Sequence, residues 1–126
     1  MSVDGGEVAA IGPGLLVLLG VGEGDEAAEA DKLADKVRAL RIFDDGSGRM
    51  NEPLGEREVL CVSQFTLMGD TGKGNRPSYA AAAKPDVAEP LYERFRERLG
   101  AKGGVFGTRM VVDLSNEGPV TLLLEA

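Results

Sequence analysis

The chain has 126 residues, 43% of them hydrophobic and 28% charged, which fits one soluble globular domain and excludes a disordered chain or a stapled miniprotein. Its net charge of −7 excludes strong non-specific nucleic-acid binding, because phosphate neutralisation supplies most of that affinity. It contains no histidine and one cysteine, Cys61, which excludes Ser-His-Asp and Cys-His nucleophiles, histidine metal sites and an internal disulfide.

No apolar run approaches the ~20 residues of a membrane span, and no basic region precedes an apolar core at the N-terminus. The expectation is a cytoplasmic protein with no membrane partner, no cofactor and no metal. Cys61 lies in an apolar run and reads as a small buried hydrophobe.

In chain order, Val3 to Val8 predicts a tight hairpin with Asp4-Gly5-Gly6 at its turn. Gly12-Pro13-Gly14 predicts a second turn and Leu15 to Val21 a buried strand. Asp25 suits a helix cap, with Glu26 and Glu29 near the positive end. Ala27, Ala30, Leu33, Ala34, Val37 and Leu40 then recur at helical spacing. Arg41 to Phe43 reads as a short extended piece, Asp44 to Arg49 as a glycine-rich turn, and Glu58 to Thr66 as a central strand. Residues 68–78 form a loop, and Ser78 to Ala83 a short helical turn. Asp86 caps a second helix with an apolar face of Val87, Leu91, Tyr92, Phe95 and Leu99, ended by Gly100. Val105 to Leu114 and Val120 to Leu124 read as strands around the turn Asn116-Glu117-Gly118-Pro119. The expected fold is a single α+β domain over residues 1–126, with a mostly antiparallel sheet and two helices.

The stretch Ser63-Gln64-Phe65-Thr66-Leu67, followed at once by Gly72, Lys73, Gly74 and Arg76, is the most informative part of the chain. A strand end leading into glycines and cations suggests a phosphorylated ligand. The nucleotide loop G-x-x-x-x-G-K-S/T does not fit, because Leu67 stands at its first glycine and Gly74 at its hydroxyl position. A serine hydrolase fits little better: Ser63 lacks the G-x-S-x-G elbow and a histidine to take its proton. On residue type alone, Ser63 and Thr66 are ordinary strand-end hydroxyls.

These residues do resemble a known family. Ser63 to Leu67 is similar to the SQFTL motif of the D-aminoacyl-tRNA deacylases, and Asn116 to Thr121 looks like their N-x-G-P-V-T. Gly12 to Val21, Arg41 to Asp44 with Met50-Asn51, Lys73 to Tyr79, and Phe106-Gly107-Thr108-Arg109-Met110 match further segments in order, with Thr108 where the family has alanine. The resemblance departs at the start. Members usually open with a further strand of about ten residues, whereas this chain starts at Met1-Ser2-Val3; the expectation is an exposed sheet edge and a weakened support for the Gly-Pro loop.

The resemblance implies hydrolysis of the ester between a D-amino acid, or glycine, and the terminal adenosine of tRNA. It implies that Ser63, Gln64, Phe65 and Thr66 form the catalytic segment, with backbone N–H groups at Phe65 and Thr66 holding the carbonyl oxygen as charge develops. No side chain need be the nucleophile, since the ribose 2′-hydroxyl can assist water. Phe106, Gly107 and Met110 would receive the adenine, with core packing as the plain alternative. Gly118-Pro119, expected as a cis peptide, would reach from one subunit into its partner's pocket and reject L side chains by backbone sterics, which requires a symmetric homodimer. Lys73 and Arg76 would meet phosphates near the acceptor end, with Lys84 and Lys102 as weaker candidates. No DNA partner is expected. The alternatives are a catalytically silent homodimeric binding module and a general small-ester hydrolase.

Overall fold

The computed structural model describes residues 1–126. Its elements are β1 (Ser2–Val3), β2 (Gly6–Glu7), β3 (Gly14–Leu19), α1 (Ala27–Ala39), β4 (Phe43–Asp44), β5 (Met50–Glu52), β6 (Glu58–Ser63), a 3-10 turn (Phe65–Met68), α2 (Pro85–Leu99) and β7 (Lys102–Gly103). The α+β composition and the two helices are as the sequence predicts.

The sheet is different. β3, β6 and β7 form one sheet in the order β3-β6-β7, and both pairings are parallel. Antiparallel pairing occurs in the ribbons β1–β2 and β4–β5 and in isolated bridges such as Ser2–Val111. The reason lies in the connections: a helix lies between β3 and β6, and another between β6 and β7. A helical crossover returns the chain to the same end of the sheet, so the next strand runs parallel.

The first hairpin pairs Ser2 with Glu7 and Val3 with Gly6. Asp4 (φ 50°) and Gly5 (φ 80°) both take positive φ, as a two-residue I′-type turn requires. Residues 105–114 and 120–124 are not strands. Apart from the bridge between Ser2 and Val111, their backbone pairs with no other segment, and several of their apolar side chains lie open: Leu114 is 59% and Leu123 80% exposed. Alternating apolar residues make a strand only where a neighbouring strand completes the ladder.

β6 is the centre of the molecule. Its side chains alternate between two clusters. Val59 and Cys61 face the helices, where they join Ala34, Val37, Tyr92, Phe95 and Leu99. Leu60 and Val62 face the other way, against Met1 and the partly buried Leu16, Met110 and Val112. The Tyr92 hydroxyl donates to the Cys61 carbonyl at 2.6 Å, so the one polar atom that α2 buries in the core is satisfied. Burial pushes the Cys61 thiol up to about 12, which leaves it an inert hydrophobe.

Both helix starts differ from the reading of their caps. Glu26, not Asp25, caps α1, in a capping box with Glu29. The Asp25 carboxylate instead accepts from the Gly22 N–H at 2.7 Å. Lys84 is the cap position of α2 and Pro85 its first residue, where a missing N–H costs nothing. Gly100 ends α2 in the left-handed region, φ 74°. Val87 is 45% exposed and leaves the buried face to Ala88, Tyr92, Phe95 and Leu99.

Bidentate ion pairs join the helices. Arg94 holds Asp31 at 2.8 and 2.8 Å, and Arg98 holds Asp35 at 2.8 and 2.9 Å. Lys102 holds Glu58 at 3.0 Å. Hydrogen bonds from Arg94, Arg98 and Lys102 keep the Asp31, Asp35 and Glu58 carboxyls below the usual carboxylate range. Because the folded values are depressed, the stabilisation is complete above the unfolded carboxylate range, at about pH 4. It is lost as pH falls through the folded values. The melting temperature is therefore expected to fall below about pH 4. Asp31→Asn/Asp35→Asn should melt lower at pH 7 but lose less on acidification. Parallel melting-temperature curves for the two proteins between pH 7 and pH 2.5 would contradict this.

Candidate functional site

The site grows from the carboxyl ends of β3 and β6. These strands run side by side in register from Gly14–Glu58 to Leu19–Ser63. The carboxyl ends of parallel strands are where such sheets present ligand sites. The last ladder bond is donated by the Gln64 N–H to the Leu19 carbonyl at 2.8 Å. The expected continuation of the strand to Thr66 does not occur. The chain bends into the 3-10 turn Phe65–Met68, because the Gln64 carbonyl accepts the Leu67 N–H at 3.2 Å and the Thr66 carbonyl accepts the Gly69 N–H at 3.0 Å. Internal bonding in the turn begins at Leu67, so the N–H groups of Phe65 and Thr66 precede it and are not used by the turn.

Ser63 is half-buried at the strand end, while Phe65 and Thr66 are exposed. The Gln64 side chain, half-buried, donates from Nε2 to Thr66 Oγ1 at 2.6 Å, tying two of the four catalytic candidates together. The Phe65 ring, 57% exposed, meets Tyr79 edge-on at 5.2 Å. The sequence does not mark Tyr79 as a site residue. Its only signal there is its place at the end of Lys73 to Tyr79.

The loop bearing Lys73 and Arg76 is closed at its base. Asp70 and Ser78 exchange two backbone hydrogen bonds of 2.8 Å, and the Asp70 carboxylate accepts the Gly72 N–H at 2.9 Å. Lys73 and Arg76 are exposed and form no ion pair. Lys102 is engaged by Glu58 and by the Ala10 carbonyl at 3.0 Å, so it is not a spare cation.

The remaining candidates lie elsewhere in the chain. Phe106 is partly buried against the helix-side cluster, its ring 6.1 Å from that of Tyr92. Met110 packs into the second cluster with Leu60 and Val62. Gly107 takes φ 76° in the tight bend between them. The Gly118-Pro119 bond is cis. Asn116 donates to Thr121 Oγ1 at 3.3 Å across this loop, and a Cβ on Gly118 would meet nothing within 4 Å. Gly118 is thus exposed, with open space on the side a Cβ would occupy.

Comparison with known proteins decides the family. The model of the D-Tyr-tRNA(Tyr) deacylase family matches residues 1–125. The chain belongs to that family. A D-aminoacyl-tRNA deacylase of Symbiobacterium thermophilum is 51% identical over 133 residues, covering 100% of this chain and 88% of the relative. One from Opitutus terrae is 52% identical over 134 residues, covering 100% and 89%. Among solved structures, the c-Myc DNA unwinding element binding protein superposes with a TM-score of 0.92 at 38% identity, over 99% of this chain and 90% of that one. A probable eukaryotic D-amino acid tRNA deacylase shares the fold, with a TM-score of 0.64 at 18% identity. In this deacylase family member, no helix is long and apolar enough to cross a membrane.

Proposed function

We propose that this chain is a D-aminoacyl-tRNA deacylase whose ester-binding centre is the Phe65–Met68 turn. It hydrolyses the ester between a D-amino acid and tRNA, returning the amino acid and an intact acceptor end. The observation that carries the site assignment is the pair of backbone N–H groups at Phe65 and Thr66, left unused by the turn at the carboxyl end of β3 and β6.

The aminoacyl ester is activated, so modest catalysis suffices. Water attacks the ester carbonyl, and the Phe65 and Thr66 N–H groups take the developing oxyanion. The carbon–oxygen bond to the ribose then breaks, and the proton released by water ends on the departing ribose oxygen. The neighbouring 2′-hydroxyl assists the water, which suits a chain without histidine. Gln64, bonded to Thr66, orients the terminal nucleotide with Ser63. Phe106 and Met110 pack into the two core clusters but are only partly buried, and the surface they leave open beside Gly107 is what we assign to the adenine.

Chirality is read by backbone. The Gly118 and Pro119 carbonyls of one subunit accept hydrogen bonds from the substrate's α-amino group in its partner's site. An L side chain would collide with that backbone, while a D side chain points away and glycine has nothing to collide. The exposed Gly118 loop supports this reading, as do the open apolar side chains at Val111, Leu114, Leu122 and Leu123. Apolar surface with unpaired strand-like backbone is what an interface between two copies covers.

The deciding experiment is hydrolysis of D-tyrosyl-tRNA beside L-tyrosyl-tRNA. Rapid loss of the D ester with the L ester spared is expected; equal loss of both would refute the backbone filter.

Lys73 and Arg76 grip phosphates near the acceptor end. Affinity for tRNA is expected to fall with rising salt, and Lys73→Ala/Arg76→Ala to reduce that salt slope by about 2, one for each phosphate contact removed. An unchanged slope would remove this loop from the RNA contact.

A further inference from the structure

We infer that Gly20 is a positioning residue for this site: the room left by its missing side chain seats Met68 and Leu67 and thereby sets where the turn holds its N–H groups. The inference rests on the placement of the ester at the Phe65–Met68 turn.

Gly20 directly follows β3, next to Leu19, whose carbonyl accepts the Gln64 N–H. A Cβ built on Gly20 would lie 2.9 Å from Met68 Cε, 3.1 Å from Leu67 Cβ and 3.3 Å from the Gln64 carbonyl oxygen. These three atoms belong to the turn or to the residue that caps it. The Gln64 carbonyl is also the acceptor that closes the turn through the Leu67 N–H. The tip of Met68 can swing aside, but the Leu67 Cβ and the Gln64 carbonyl are held by the backbone and must give by a few tenths of an ångström, so one added methyl group presses on the turn and on the residue that caps it.

Glycine is needed here for space and not for conformation. The positive-φ glycines are Gly5, Gly24, Gly48, Gly55, Gly74, Gly100 and Gly107, and Gly20 is not among them. Alanine at 20 therefore meets no backbone penalty; its cost is contact alone. The turn is also held through Gly69 and Phe65. A Cβ on Gly69 would stand 3.0 Å from the Tyr79 ring, and that ring meets Phe65 edge-on. Pressure from Gly20 is thus met by Tyr79 and shifts the turn by tenths of an ångström without unfolding it. Catalysis by oriented backbone donors is sensitive to shifts of that size, because the donors must sit at hydrogen-bond distance from the oxyanion.

The test is Gly20→Ala, with D-tyrosyl-tRNA hydrolysis measured at saturating and limiting substrate. The expected result is a kcat about 10- to 100-fold lower, a KM changed by no more than about twofold, and a melting temperature within a few degrees of the parent. Met68→Ala placed on Gly20→Ala removes the nearest obstructing atom and frees the end of the turn to shift back, and it should restore part of the lost kcat. Gly20→Ala with parental kcat overturns the inference, as does a loss that Met68→Ala fails to rescue. If Gly20→Ala does not fold, the double variant decides: folded and active supports the seat, while folded and inactive, or unfolded, shows that Gly20 serves the fold and not the turn. Gln64→Ala and Thr66→Ala run alongside separate the two readings. If both keep full activity, the site assignment itself fails. If they lose activity and Gly20→Ala does not, only the role of Gly20 fails.

Discussion

Gln64→Ala and Thr66→Ala are each expected to slow hydrolysis of D-tyrosyl-tRNA about 10- to 100-fold while leaving the melting temperature nearly unchanged. Thr66 is exposed and Gln64 half-buried, and their side chains bond to each other through the 2.6 Å bond from Nε2 to Oγ1. Removing either therefore leaves no buried polar atom stranded, and stability should hold. The activity loss follows from where they sit. Both flank the Phe65 and Thr66 N–H groups, and a hydrogen bond to a charged or charging group contributes roughly 1.5–3 kcal/mol. Each 1.36 kcal/mol is about tenfold in rate. Because the two side chains bond to one another, they act as a unit, so the double variant should lose far less than the product of the single losses. Steady-state kcat and KM for the three variants check this. Parental activity in both single variants would move the chemistry away from this turn.

Phe95→Ala is expected to destabilise the fold by about 3–5 kcal/mol. The Phe95 side chain is fully enclosed, in the cluster that joins Tyr92 and Leu99 of α2 to Ala34 and Val37 of α1 and to Val59 and Cys61 of β6. It meets both helices and the central strand, so its loss leaves a cavity where the layers join. Domains of this size are stable by about 5–15 kcal/mol, so the variant retains at best a thin margin. Urea denaturation should show a much lower midpoint with the slope preserved. Val87→Ala, on the exposed side of the same helix, should change stability by no more than about 0.5 kcal/mol. A Phe95 effect as small as that of Val87 would contradict the placement of the core.

Much of this protein is determined by its sequence alone. Residues 27 to 39 and 85 to 99 carry helical spacing, and Gly100 carries a stop signal, so α1 and α2 form close to where they are expected although their caps differ. Asp4-Gly5 permits the positive φ values of a tight hairpin, and the hairpin is there. The order of motifs from Gly12 to Thr121 identifies the family, and the full-length relatives agree. The helices and the hairpin are local properties, set by residues within a few positions of one another, and each family motif is a short run read in the same way.

Tertiary structure decided the rest. The direction of β6 relative to β3 depends on how α1 packs back across the sheet, which alternation within a strand does not encode. The capping box at Glu26 depended on Asp25 being drawn off to the Gly22 N–H. The strand expected through Thr66 ends at Ser63, and Leu67 and Met68 of the turn that follows pack closely over Gly20, 43 positions before Ser63 in the chain. That close approach joins residues remote in sequence, and no pattern around residue 64 signals it. The segments 105–114 and 120–124 carry strand-forming residues, yet without a neighbouring ladder their backbone stays irregular. Propensity is local, but a strand is completed only by the chain beside it.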